Sequence, residues 1–129
     1  MNKIELAKDP TTSQEILEKL SNDDNYSIRS AVARNPNTPP EALDKLSYEY
    51  LWWVRNGVAM NSNTPIKTLD RLSNDRDYWV RYNVAYNNNT PITILEKLSH
   101  DEAYDVRIGV TRNPNTPKYI KTYLRYSLL

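Results

Sequence analysis

Two columns of opposite charge carry the most regular chemistry in this chain. Arg29, Arg55, Arg81 and Arg107 recur every 26 residues, each six residues after Asp23, Glu49, Asp75 and Asp101 in turn. Stacked guanidinium groups could grip phosphates, because each donates in a planar fork. Four like charges stacked alone would repel, however, and every unit keeps both signs. The favoured reading is a structural ladder, in which each arginine meets its own or a neighbouring acid and nearby loop carbonyls. Asn35, Asn61, Asn87 and Asn113 form another column, followed two residues later by Asn37, Asn63, Asn89 and Asn115. These could line a ligand, but asparagine in a turn more often bonds loop backbone.

Little else could do covalent or metal chemistry. Cysteine is absent and His100 is the only histidine. Its counterparts Asn22, Tyr48 and Asn74 are turn positions, so His100 reads as a polar surface residue. No nucleophile–base pair and no thiolate or imidazole metal set can be assembled. Gly57 and Gly109 are the only glycines, which leaves no phosphate-cradling loop. The expectation is a non-enzyme with no catalytic residue, no cofactor and no metal. Seventeen basic residues against sixteen acidic ones give a net charge of +1, with no global pull toward nucleic acid or a membrane. The start of the chain has no apolar leader and the longest apolar run, Tyr50 to Val54, is far short of a membrane span. A cytoplasmic protein is expected.

The repeat acts as its own control: a position dictated by the fold should look alike in every unit. One stripe does not. Its residues are Ser27, Ser30 and Arg34, then Trp53, Asn56 and Met60, then Trp79, Tyr82 and Tyr86, then Asp105, Ile108 and Arg112. The i, i+3, i+7 spacing holds each triplet within about 60° of helical arc, away from the apolar Ile28/Val32 face. The middle units therefore display Trp53, Asn56, Met60, Trp79, Tyr82 and Tyr86, with Ile108 beyond and Arg34 and Arg112 flanking. Aromatic, Met and Arg side chains exposed together mark binding surfaces. The competing reading is that the rings fill a groove between helices.

These residues need a repeated frame. Asn35-Pro36-Asn37-Thr38-Pro39 returns around Thr64, Thr90 and Thr116, with a degenerate copy at Thr12. A fixed short period predicts stacked helical units. Segment A starts at Thr-Pro, with Thr as the expected N-cap; Thr12/Glu15 and Thr38/Glu41 have capping-box spacing. Its apolar pairs are Leu17/Leu20, Leu43/Leu46, Leu69/Leu72 and Leu95/Leu98. Segment B carries Ile28/Val32, Val54/Val58, Val80/Val84 and Val106/Val110, and ends at an Asn suited to left-handed geometry. Each segment has room for only two to three turns, α or 3₁₀, so stability must come from stacking. The units run 12–37, 38–63, 64–89 and 90–115, between a partial repeat at 1–11 and a half-repeat cap at 116–129.

Ile28-Arg29-Ser30-Ala31-Val32-Ala33-Arg34-Asn35-Pro36-Asn37-Thr38-Pro39, followed by Leu43 and Leu46, resembles the variant leucine-rich repeat over essentially the whole chain. The resemblance implies a right-handed superhelix of alternating α and 3₁₀ helices without β-sheet. The Asp23…Arg29 spacing is also similar to the ladder of HEAT and armadillo-like helical repeats, whose period is longer. One iron–sulfur-associated branch of the first family carries a cysteine cluster, which a chain without cysteine cannot share. Both families imply a scaffold that binds something. The expected fold is an all-α, right-handed α-solenoid of short helix pairs. Its expected role is non-catalytic capture of a protein or peptide on the aromatic stripe. The alternative is nucleic-acid binding by the same rings and the Arg column. No membrane partner is expected. The apolar end Tyr126-Ser127-Leu128-Leu129 leaves self-association through the C-terminal end open.

Overall fold

The computed structural model describes residues 1–128 and is helical throughout, with no strand among those residues. Ten α-helices follow one another: α1 (Lys3–Lys8), α2 (Gln14–Leu20), α3 (Tyr26–Arg34), α4 (Pro40–Leu46), α5 (Trp52–Met60), α6 (Ile66–Leu72), α7 (Tyr78–Tyr86), α8 (Ile92–Leu98), α9 (Tyr104–Arg112) and α10 (Lys118–Ser127). Seven-residue helices (α2, α4, α6, α8) alternate with nine-residue ones (α3, α5, α7, α9) at the 26-residue step read from the sequence. The pairs pile up as a solenoid. No described helix is long and apolar enough to cross a membrane.

The expected alternation of α and 3₁₀ helices is not what forms. Both helices of each pair are α, and tighter i→i−3 bonds recur at the corners, in the turns after the shorter helices and at helix starts. Asn35 N–H bonds Val32 O at 3.0 Å and Thr38 N–H bonds Asn35 O at 3.1 Å, and the same two turns recur in each unit. A corner must reverse the chain in a few residues, which the tighter bond allows.

Two capping expectations are corrected. The residue before α4, α6, α8 and α10 is Pro39, Pro65, Pro91 and Pro117 in turn, and before α2 it is Ser13, in no case the threonine ahead of it. The threonine hydroxyl instead donates backwards, to Val32, Val58, Val84 and Val110 O at 2.5–2.7 Å. Each threonine therefore gives a second donor to a carbonyl at the end of the preceding helix that already accepts from the Asn N–H of the corner. Neither capping box forms; Ser13 accepts from Ile16 N–H in the first unit. The asparagines that close α3, α5, α7 and α9 are extended (Asn35 φ −73°, ψ 124°), not left-handed.

Those asparagines serve as crosspieces. The amide of Asn61 donates to Ala33 O and Asn35 O in the unit before, and its oxygen accepts from Asn63 N–H. Asn35, Asn87 and Asn113 repeat the pattern, with all donations at 2.8–2.9 Å. Each amide is buried with both N–H groups and its oxygen engaged, so none carries the cost of an unmade bond.

The core runs the length of the stack. Leu17, Leu43, Leu69 and Leu95 are fully buried against Val32, Val58, Val84 and Val110. The nine-residue helices pack directly on one another (α3 on α5, α5 on α7, α7 on α9), and α1 packs on α3. The shorter helices pack mainly on the nine-residue helices flanking them in sequence. Small residues set the approach. A Cβ on Gly109 would sit 2.9 Å from Tyr82 Cδ2 and 3.2 Å from Ala85 Cβ, and one on Gly57 would sit 2.9 Å from Ala33 Cβ. Of the C-terminal residues, Leu128 packs against the core, while Leu129 lies outside the described residues.

Candidate interaction surface

The charged columns pair across units. Arg55 grips Asp75 through Nε (2.7 Å) and Nη2 (3.0 Å), and Arg81 grips Asp101 in the same way (2.8 and 3.1 Å). Meanwhile Nη1 of Arg55 donates to Glu49 O and Tyr50 O, and Nη1 of Arg81 to Asp75 O. An arginine thus takes its own unit's acid by the carbonyl and the next unit's acid by the carboxylate. Bonding to Asp101 raises the Arg81 pKa above its ordinary value. Lys3, 26 residues before Arg29, joins the column unforeseen and meets Asp23 at 2.9 Å. The Asp23 carboxyl is held below the usual range first by Asn25 N–H and then by Lys3. With its forks occupied, this ladder fastens units to one another.

Two rungs differ. Arg29 reaches Glu49 through Nη2 alone (2.9 Å), and its buried Nε has no partner. Arg107 donates to Asp101 O and Glu102 O but meets no acid among the described residues.

The stripe lies on α3, α5, α7 and α9. Met60, Trp79 and Tyr86 are 49%, 42% and 50% exposed. Trp53 and Tyr82 are half-buried and pack against the core. Along α7 the rings form a continuous row, with Trp79 edge-on to Tyr82 at 5.7 Å and Tyr82 stacked with Tyr86 at 6.1 Å. Arg112 Nη1 donates to Tyr82 Oη at 3.1 Å, tying one flanking cation to the row. Arg34 is exposed at the other flank, its Cγ 3.2 Å from where a Gly57 side chain would start. Asn56 accepts from Asn83 at 2.6 Å, and Ile108 is half-buried.

Sequence reasoning missed an adjoining column. Tyr26, Trp52, Tyr78 and Tyr104 open the four nine-residue helices and are all exposed. Their spacing was visible, but a column alike in every unit reads as structural under the rule used above. Tyr26 and Trp52 both meet Trp53 edge-on, at 5.8 and 5.9 Å, and Tyr78 lies 5.1 Å from Trp79. Two hollows bound this surface. One of about 230 Å³ is lined by Tyr50, Trp52, Trp53, Arg76 and Asp77, beside the start of α5. The other, about 220 Å³, lies between the ends of α5 and α7 and is lined by Met60, Asn83 and Tyr86.

His100 accompanies none of this. It sits 3.0 Å from Tyr123 Oη, on the opposite layer. No cluster of three metal-ligating side chains exists among the described residues.

The corner, the Asn crosspiece and the Val/Leu spacing together define the unit. Residues 26–48 match the family model of the leucine rich repeat variant. The matched segment is α3, its Asn-Pro-Asn-Thr-Pro corner and α4 with most of the following turn, and the other units show the same helix–corner–helix order at the 26-residue step. No curated protein and no solved structure matches the chain.

Proposed function

We propose that this variant-repeat solenoid is a non-catalytic scaffold that captures a protein or peptide segment on the aromatic row of α5 and α7. The observation carrying the reading is the shared exposure of Met60, Trp79 and Tyr86 beside half-buried Trp53 and Tyr82. A ring anchored below and open above has little freedom left to lose on binding, which suits it to a hot spot. A nine-residue helix is about 13 Å long, so the row suits about four extended peptide residues. Arg34 and Arg112 at the flanks favour acidic residues beside an apolar centre.

The test uses Trp79→Ala together with Tyr86→Ala. Tyr82 is spared because it also seats Gly109. The pair should leave helicity and thermal unfolding close to wild type while abolishing partner capture by the immobilised chain. Capture that survives unchanged rejects the reading. Oligonucleotide binding that weakens steeply with salt would move the assignment to nucleic acid.

A further inference from the structure

The column that opens the nine-residue helices is both repeated and exposed. Tyr26, Trp52 and Tyr78 are the first residues of α3, α5 and α7, one per unit, and all three rings reach solvent. Each of these helices has a neighbour on both sides: α3 lies between α1 and α5, α5 between α3 and α7, and α7 between α5 and α9. The exposure therefore belongs to the flank of the stack. The core does not use these rings, so their recurrence fits a ligand that repeats at the same step.

That step selects the ligand. Close-packed helices lie about 8–10 Å apart, so rings opening successive helices recur at about that distance. A polyproline II segment turns once in three residues, about 9.3 Å. An α-helix repeats at about 5.4 Å and a β-strand at about 6.6 Å, and neither keeps pace. No strand edge exists among the described residues to pair with an extended chain.

The rungs are braced and the gap between them is lined with donors. Trp53 meets both Tyr26 and Trp52 edge-on, and Tyr78 leans on Trp79 at 5.1 Å, so little ring freedom is lost on binding. Between Trp52 and the start of α7 the hollow of about 230 Å³ opens. Into it face the Trp52 indole, the Tyr50 ring and the Arg76 guanidinium, which lies 5.5 Å over that ring. Among the described residues the tyrosine hydroxyls with a partner are those of Tyr82 and Tyr123, so Tyr26, Tyr50 and Tyr78 are free to donate. The acid in the lining, Asp77, spends one oxygen capping α7. Such a surface suits a segment rich in carbonyls and poor in N–H groups, and proline is the residue without an N–H.

We propose that Tyr26, Trp52 and Tyr78 form a ladder for a proline-rich segment in the polyproline II conformation, laid across the starts of α3, α5 and α7 with every third residue seated between successive rings. The proposal rests on the reading above that this face captures a peptide, and it names that peptide's chemistry. Three rings span two steps, about 19 Å or six residues. The Trp52 indole N–H and the Arg76 guanidinium donate to the segment's carbonyls, and the hollow between Trp52 and α7 takes a pyrrolidine ring.

A capped oligoproline of about nine residues covers the ladder and is the probe. Titrated into the full ¹⁵N-labelled chain, it should shift the Trp52 indole N–H signal and the Tyr78 amide saturably. Trp52→Ala and Tyr78→Ala should each weaken binding about tenfold with circular dichroism unchanged, while Trp52→Tyr, which keeps a ring, stays within about threefold of wild type. No saturable shift in the wild-type chain overturns the proposal, as does wild-type affinity in Trp52→Ala. Equal binding of an oligomer alternating L- and D-proline, which cannot wind as the left-handed helix, also overturns it. Oligothymidylate that displaces the oligoproline at equal concentration would assign the column to base stacking, with the same consequence. The reading of the aromatic row is tested separately, since it falls only if capture survives Trp79→Ala with Tyr86→Ala.

Discussion

Replacing Glu49 by Asp should stabilise this protein. The turn holding Glu49 matches those holding Asp75 and Asp101: the acid's N–H bonds Leu46, Leu72 and Leu98 O at 3.1, 3.0 and 3.1 Å. The shorter side chains grip arginine with both oxygens and also accept from the N–H two residues on, Asp77 (2.9 Å) and Ala103 (2.8 Å). Glu49 makes neither second contact, and Arg29 Nε stays buried and unbonded. Satisfying that donor is worth about 1–3 kcal/mol and the local turn bond about 1 kcal/mol. Loss of one methylene costs up to about 0.8 kcal/mol. The net expectation is a gain of about 1–3 kcal/mol, which raises Tm by about 3–12 °C for a domain of this size. Urea and thermal unfolding followed by circular dichroism measure it. In an Arg29→Gln background the gain should shrink to the local turn bond, about 1 kcal/mol or less. If Glu49→Asp is neutral or destabilising, or gains equally in both backgrounds, the account of the ladder is wrong.

Other consequences follow from the same contacts. Asn87→Ala orphans Ala59 O and Asn89 N–H and takes one of two donors from Asn61 O, and at about 1 kcal/mol for each orphaned group should cost about 2–3 kcal/mol in urea unfolding. Thr64→Val removes the 2.6 Å bond to Val58 O and should cost about 1–2 kcal/mol; amide exchange should quicken at the end of α5 and not at the start of α6. Gly109→Ala adds a Cβ against Tyr82 and Ala85, so crowding should outweigh the propensity gain of about 1 kcal/mol and lower Tm. For Asp23, whose folded pKa is depressed, the stabilising contribution is complete above the unfolded value of about 3.9 and lost as pH falls through the folded one. Asp23→Asn should therefore flatten the fall in Tm below about pH 4, and an unchanged slope would refute that role.

Part of this architecture is written along the chain. Leu17/Leu20 and Ile28/Val32 with their 26-residue repeats need only local periodicity to be read, because an apolar pair at i, i+3 or i+4 must lie on one side of a helix. The Thr-Pro corner was placed correctly, but its direction was not. A threonine hydroxyl is both donor and acceptor, and sequence does not say whether it caps the helix ahead or the one behind. The direction of the ladder was hidden for a similar reason. Asp75 is six residues from Arg81 and twenty from Arg55; only the stacking distance hands its carboxylate to Arg55. The candidate surface divides the same way. Variation among units singled out Trp53, Trp79, Tyr82 and Tyr86, whereas the depth of each ring depends on how closely a neighbouring helix approaches. Gly109 brings α9 against Tyr82 and half-buries it, while Trp79 and Tyr86 on the same helix stay open. Composition and period alone thus determined an all-helical repeat with one deviant aromatic stripe. Which side chains close the junctions and which remain free to meet another molecule was decided by contacts between residues 20 to 30 positions apart, and local periodicity does not encode those distances.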